Sequence, residues 1–288
     1  VDHAGAVYYA DGSDAAIKQI GPDGLVRIYT GPSTGAPFVE PSGLAFDAAG
    51  DLFVADRKGS RIWKVDPTGV VTVAAGTGVS GNSGNDGPAV DATINAAQVA
   101  VGPDGSLYFD DMNMYRMIDP KGIIHVFAGT GAIGFSGDGL RATEATMDTG
   151  IAAVGADRAG NVYIGDSWNH RIRRIDPSGI ITTVAGNGLE GTGGDGTAAV
   201  QAQMSQALGI ATDDAGDAHF SDYDGSSVRK VDTNGFITTV AGGKGPGFDG
   251  DCDSAIAAKL NDPNGPAVHD GVLYVADAGN NRIRMVVP

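Results

Sequence analysis

The 288-residue chain has a single cysteine, Cys252. An intrachain disulfide and a cysteine zinc cluster are therefore excluded. No apolar run approaches the roughly 20 residues of a membrane-spanning helix, and no signal-peptide pattern opens the sequence. Basic residues are scarce: 19 Lys and Arg stand against 35 Asp and Glu, a formal net charge of -16. Nucleic-acid phosphates need a Lys/Arg surface, so nucleic acid is not an expected partner. Membrane insertion and anionic membrane surfaces are not expected either. A nucleophile elbow, a P-loop, a dinucleotide fingerprint and an HExxH pattern are all missing.

What the chain has in excess is glycine, 46 residues, as expected where tight turns recur. One phrase repeats. A strand ends in Asp, a turn and a basic strand follow, then Asp-x-x-Gly and a Thr-rich strand. The strand-end aspartates are Asp11, Asp56, Asp111, Asp166, Asp222 and Asp277, spaced by 45, 55, 55, 56 and 55 residues. A fixed period of that size, built from short strands, predicts a radial array of units packed on their neighbours. Four strands per unit, a to d, fit one antiparallel meander. In the third full unit these are 152–156, 161–166, 171–175 and 180–185. The expected fold is all-β: a six-bladed β-propeller of four-stranded antiparallel blades in one domain over 1–288. The chain starts at the last residue of a strand a and stops in a strand c. Both end blades are then incomplete, which predicts a piece of a longer chain.

The long d-to-a connections also repeat, as 138–147, 195–204, 251–260 and, one residue shorter, 86–94. Their apolar spacing predicts about two helical turns, with the leading Asp as N-cap. The Gly-Asp-Gly loops at Asp138 and Asp195 carry the alternative of calcium sites; otherwise no cofactor is expected.

The phrase from Asn161 to Ile175, and Asp277-Ala278-Gly279-Asn280-Asn281-Arg282-Ile283-Arg284, resemble the NHL-repeat family of six-bladed propellers. Thr182 to Gly186 and Phe135-Ser136-Gly137-Asp138-Gly139 are similar to its bacterial secreted members. The resemblance covers essentially the whole chain. It implies an extracellular, cell-surface or periplasmic setting. It spans interaction scaffolds, ligand-binding modules and a minority of enzymes such as the peptide-amidating lyase. Fold analogy does not choose among them. That lyase's zinc is held by several histidines. Here His3 and His269 fall in a-b turns and His125 in an outer strand, so no three-His metal site is expected.

Departures from the repeat point to function, because structural needs recur in every unit. The b-c and d-a connections share one end of each blade and vary most, so that end is the expected binding face. The second full unit departs furthest. Asp111 and Asp119 are eight residues apart where Asp166 and Asp176 are ten, which shortens the b-c turn by two. Met112 and Met114 stand in the resulting notch. Met114 replaces the Arg of an expected Asp166–Arg171 brace. Asp110 replaces a small residue and is the catalytic candidate, a carboxylate either paired or poised. Gln98 and Asp148 stand in entries to strand a of altered length, one residue shorter and one longer. Trp168, Tyr223 and Arg57 decorate b-c turns and suit stacking on a sugar or peptide. The expected function is a secreted or surface module that binds a peptide, glycan or protein partner. The alternatives are a lyase, hydrolase or isomerase acting through Asp110, and a structural propeller in a larger surface protein.

Overall fold

A computed structural model describes residues 1–150 and 153–288. The fold is an all-β six-bladed propeller, and each sheet is an antiparallel meander in chain order. Blade 1 holds β1 (Val7–Asp11), β2 (Ala16–Ile20) and β3 (Val26–Thr30). Blade 2 holds β4 (Pro41–Phe46), β5 (Leu52–Asp56), β6 (Arg61–Val65) and β7 (Val71–Ala75). Blade 3 holds β8 (Val99–Val101), β9 (Leu107–Asp111), β10 (Met114–Ile118) and β11 (Ile124–Ala128). Blade 4 holds β12 (Val154–Ala156), β13 (Val162–Asp166), β14 (Arg171–Ile175) and β15 (Ile181–Ala185). Blade 5 holds β16 (Ala207–Thr212), β17 (Ala218–Asp222), β18 (Ser227–Val231) and β19 (Ile237–Gly242). Blade 6 holds β20 (Pro263–His269), β21 (Val272–Asp277) and β22 (Arg282–Val286). Blades 1 and 6 have three strands each, lacking a and d respectively. The strand expected over 152–156 begins at Val154; residue 152 lies outside the described residues.

The chain forms two compact units, Val1–Ala128 and Gly129–Pro288. In the first, Phe53, Ile62, Ile94, Leu107, Phe109 and Ile124 form a buried cluster. In the second, Tyr163, Ile172, Met204, Ile210, Phe220 and Ile237 do the same. The all-apolar strands predicted such cores, since a blade is covered on both faces. At the c-d turns, the Asp that follows strand c makes the local structure. Asp176 Oδ1 accepts the N–H groups of Ser178 (2.9 Å) and Ile180 (3.1 Å), and Gly179 closes the turn at φ +83°.

The long connections are not helical for two turns. Each contains one 3₁₀ turn of three residues: Ala89–Asp91, Ala142–Glu144, Ala199–Gln201 and Ala255–Ala257. Their N-cap residues are Pro88, Arg141, Ala198 and Ser254, none with a side-chain cap bond, so the leading Asp does not cap. The residues run extended instead, because three of these connections pair with the outer strand of the blade they lead into. Ile124 N–H donates to Gly87 O (3.0 Å), Ile181 N–H to Leu140 O (3.0 Å) and Ile237 N–H to Thr197 O (3.2 Å). In return Asp86, Gly139 and Gly196 donate to the Ile carbonyls, at 2.7, 2.8 and 2.8 Å. A third bond runs from Ala89, Ala142 and Ala199 to the carbonyls of Gly122, Gly179 and Gly235. Asp86 therefore occupies the place of Gly139, with φ +63°, and Asn85 stands where Asp138 does. The 3.6-residue spacing of alanines that resembled a helix marks the side of an extended segment buried against the blade: Ala89, Ala142 and Ala199 are 1%, 2% and 0% exposed.

Candidate functional site

The b-c end of each blade is organised by the strand-end Asp. Asp56, Asp111, Asp166, Asp222 and Asp277 are fully buried. Each accepts a backbone N–H from the residues leading into strand a: Glu40 (2.7 Å), Asn95 (3.1 Å), Asp148 (2.8 Å), Ser205 (2.8 Å) and Asn261 (2.7 Å). Each also meets one side chain from strand c: Trp63 Nε1 (3.1 Å), Arg116 (3.0 Å), Arg173 (3.4 Å), Arg229 (3.4 Å) and Arg284 (3.2 Å). In blade 1 the counterpart is Lys18 on Asp11 at 2.6 Å. The expected five-residue brace from Asp166 to Arg171 is thus corrected to a seven-residue one, to Arg173. Both arginines share one face of β14 and differ in depth. Arg171, at the rim, lies 3.9 Å over the exposed Phe135 ring and donates to Asn169 O and Asn187 O, whereas Arg173, two residues further in, is fully buried beside Asp166. In blade 3 the same pair is Asp111–Arg116, five apart because the turn is two residues shorter.

Arg supplies more than its one bond to that Asp. Its second amino group reaches the long connection: Arg116 to Ser83 O (2.9 Å), Arg173 to Ser136 O (2.9 Å), Arg229 to Gly193 O (3.2 Å) and Arg284 to Asp249 O (3.1 Å). Asp138 and Asp195 each accept from the same group, both at 2.8 Å. Those carboxylates are turned to guanidinium, not toward a shared cation. Among the described residues no cluster of three or more His, Cys, Asp or Glu is placed to hold a metal. A guanidinium fork suits this task, since it is always charged and bonds two acceptors in fixed directions.

Within the first unit, Asp110 and Gln98 are brought together. Asp110 is 7% exposed, and its Oδ1 accepts the N–H groups of Ala97 (2.9 Å) and Gln98 (2.6 Å). Oδ2 accepts no bond among the described residues. Burial pushes the Asp110 carboxyl up to about 6; the two N–H bonds oppose that shift and the neighbouring Asp111 adds to it. Burial likewise lifts Asp111 to about 6, against the pull of Arg116. Met112 is 48% exposed at φ +59°, a conformation costly for a residue with a side chain. Met114 opens β10 opposite Asp111, half-buried. Arg57 is exposed in the b-c turn of blade 2.

Within the second unit, Asp148, Trp168 and Tyr223 share one stretch of rim. Trp168 N–H donates to Asp148 O (3.0 Å), and its indole lies against Gly150, where a Cβ would fall 1.8 Å from Nε1. The ring is nevertheless 52% exposed. The next turn residues tie down its base: Asn169 Nδ2 donates to Gly134 O (2.9 Å) and Asp166 (2.6 Å), and His170 Nδ1 lies 3.1 Å from Ser205 O. Gln206 O, one residue on, accepts from Tyr223 N–H at 2.9 Å. Phe135 and Leu189, 42% and 60% exposed, stand on the connections on either side. Sequence reasoning named Trp168 but missed Gly150 and Phe135, whose roles depend on contacts between distant segments.

Comparison with known proteins agrees with this fold. The NHL repeat matches residues 38–65, and the Teneurin NHL domain matches residues 187–247. Mouse Teneurin-3 is 32% identical over 288 residues, covering 84% of this chain and 10% of its own length. The chain thus spans about a tenth of that relative. An auxiliary nutrient binding protein from Bacteroides ovatus superposes with a TM-score of 0.66 at 20% identity, over 98% of this chain and 66% of that one. Virginiamycin B lyase from Staphylococcus aureus gives 0.59 at 16% identity, over 100% and 79%. At those identities the structures share the fold alone, and one fold serves both a named binder and a named lyase.

Proposed function

We propose, for a chain that belongs to the NHL-repeat family, that it is a binding module whose Trp168–Tyr223 rim grips a peptide, glycan or protein partner. One observation carries the reading: Trp168 is a large aromatic held rigid at its backbone and against Gly150, yet half exposed. A ring mounted that way loses little conformational freedom on contact, which is what favours aromatic anchors in interfaces. The acids and bases around it are committed to structure, with Asp166 on Arg173 and His170 on Ser205 O. The setting belonging to this proposal is extracellular, cell-surface or periplasmic. The test is a panel of immobilised peptides and glycans, probed in parallel with the wild type and Trp168→Ala. Binding that falls about tenfold or more in the variant supports the rim; binding that survives unchanged removes it.

A second reading, an enzyme acting through Asp110, rests on the carboxyl's burial-raised pKa and on its Oδ2, which accepts no bond among the described residues. A group titrating near 6 serves as acid or base close to neutrality. Asp110→Asn would then abolish turnover while the chain stays folded.

A further inference from the structure

We infer that the outer edge of β7, in blade 2, is a docking edge for one short extended segment of a partner protein. β7 shares the register of its three counterparts. Val65 pairs with Val71 as Ile118 pairs with Ile124, Ile175 with Ile181 and Val231 with Ile237. Each sheet has its bulge at the same place, after the second residue of strand c. In the counterparts this residue turns its N–H and C=O outward to a covering segment. Val71 therefore presents the same donor and acceptor, and Gly69 presents the carbonyl that Gly122, Gly179 and Gly235 use.

In blade 2 no segment among the described residues takes these groups up. The connection into blade 2, residues 31–40, is too short. It makes a 3₁₀ turn at Pro32–Thr34 and ends on Asp56 through the N–H groups of Val39 and Glu40. Burial records the difference. Ile124, Ile181 and Ile237 are 0% exposed, whereas Val71, at the same register, is only half-buried. Natural edges are shielded by charge or Pro. Val71-Thr72-Val73-Ala74-Ala75 has neither.

The sister blades define the guest. Their covering segments are extended and bring an Ala to the Gly carbonyl. Asp138 and Asp195 need the forks of Arg173 and Arg229, but blade 2 has Trp63 there, with a single donor. The guest therefore resembles the segment over β11, with a neutral residue such as Asn85 at that place. A second copy of β7 fits poorly, because the far end of the strand is already taken. Gly76 and Thr77 donate to Ala89 O and Ala92 O, both at 3.0 Å. Main-chain pairing supplies affinity in strand addition, and the small-residue site supplies selectivity.

The test is an NMR titration of the whole chain with a blocked peptide of residues 83–92. A saturable shift of the Val71 amide, weakened about tenfold or more by Ala89→Asp in the peptide, is expected. Three results would overturn the inference. One is an unmoved Val71 amide at about 2 mM peptide. Another is equal binding of the Asp-bearing peptide. The third is a Val71 shift driven by protein concentration alone, which would assign the edge to a second copy.

Discussion

Blades 2 and 4 share a strand plan, a buried Asp and a bulge, and they differ in one connection. Blade 4 receives a long one, which pairs with β15 and is clamped by Arg173. Blade 2 receives residues 31–40, which never reach β7, and the Arg place holds Trp63. The two differences are one. A fork is useful where two acceptors lie in reach, the strand-end Asp and a connection carbonyl. Where only the Asp remains, an indole gives the single bond, and its ring packs edge-on to Phe38 at 6.2 Å between centroids. Blade 1 has Lys18 at this place, shared between Asp11 at 2.6 Å and Asp14 at 2.5 Å. A repeat protein thus adjusts its buried polar group to the number of partners it must satisfy.

The largest break in the comparison is Arg173→Met. It leaves Asp166 buried without its cation and frees Ser136 O, and a loss of about 3–5 kcal/mol is expected. Trp63→Phe removes one hydrogen bond from Asp56, which keeps its backbone donors, and should cost about 1 kcal/mol. Urea midpoints measure both; equal losses would mean that the fork has no special role. Trp63→Arg sharpens the point. The new guanidinium has an Asp to meet but no connection carbonyl, so about 2 kcal/mol should be lost in spite of the apparent match to blade 4. A gain in stability would contradict the pairing of fork and connection.

A smaller effect tests the notch of blade 3. Asp110 titrates near 6 in the folded chain and close to its ordinary value of about 3.9 when unfolded. The folded state then binds the proton more tightly. Its contribution to stability is fully present below about pH 4 and is lost as pH rises through about 6. Asp110→Asn should flatten that part of the stability curve between pH 4 and 6. An unchanged slope would show that the carboxyl is not shifted by burial.

Much of this was legible in sequence. The period of the strand-end aspartates gave the blades, and Asp-x-x-Gly gave the turns, because both follow from local geometry. The partner of Asp166 is not legible, since Arg171 and Arg173 look alike in sequence and share one face of β14; they differ only in depth, Arg171 half-buried at the rim and Arg173 fully buried. The connections were read as helical because Ala142 and Ala145 sit three apart. Their extended course is set by β15, a strand some 40 residues further on. The rim at Trp168 was visible as a residue type. Its rigidity was not, since that depends on Gly150 meeting the indole across 18 residues of chain.

The most direct measurement is amide hydrogen exchange resolved to Val71, Ile124, Ile181 and Ile237 in the native chain. The three Ile amides should exchange slowly, near the rate set by opening of their blades. The Val71 amide should exchange about a hundredfold faster or more, with no covering segment to protect it. Equal protection at all four positions would mean that blade 2 is covered like the others, and the link between connection length and the Arg-to-Trp exchange would fall.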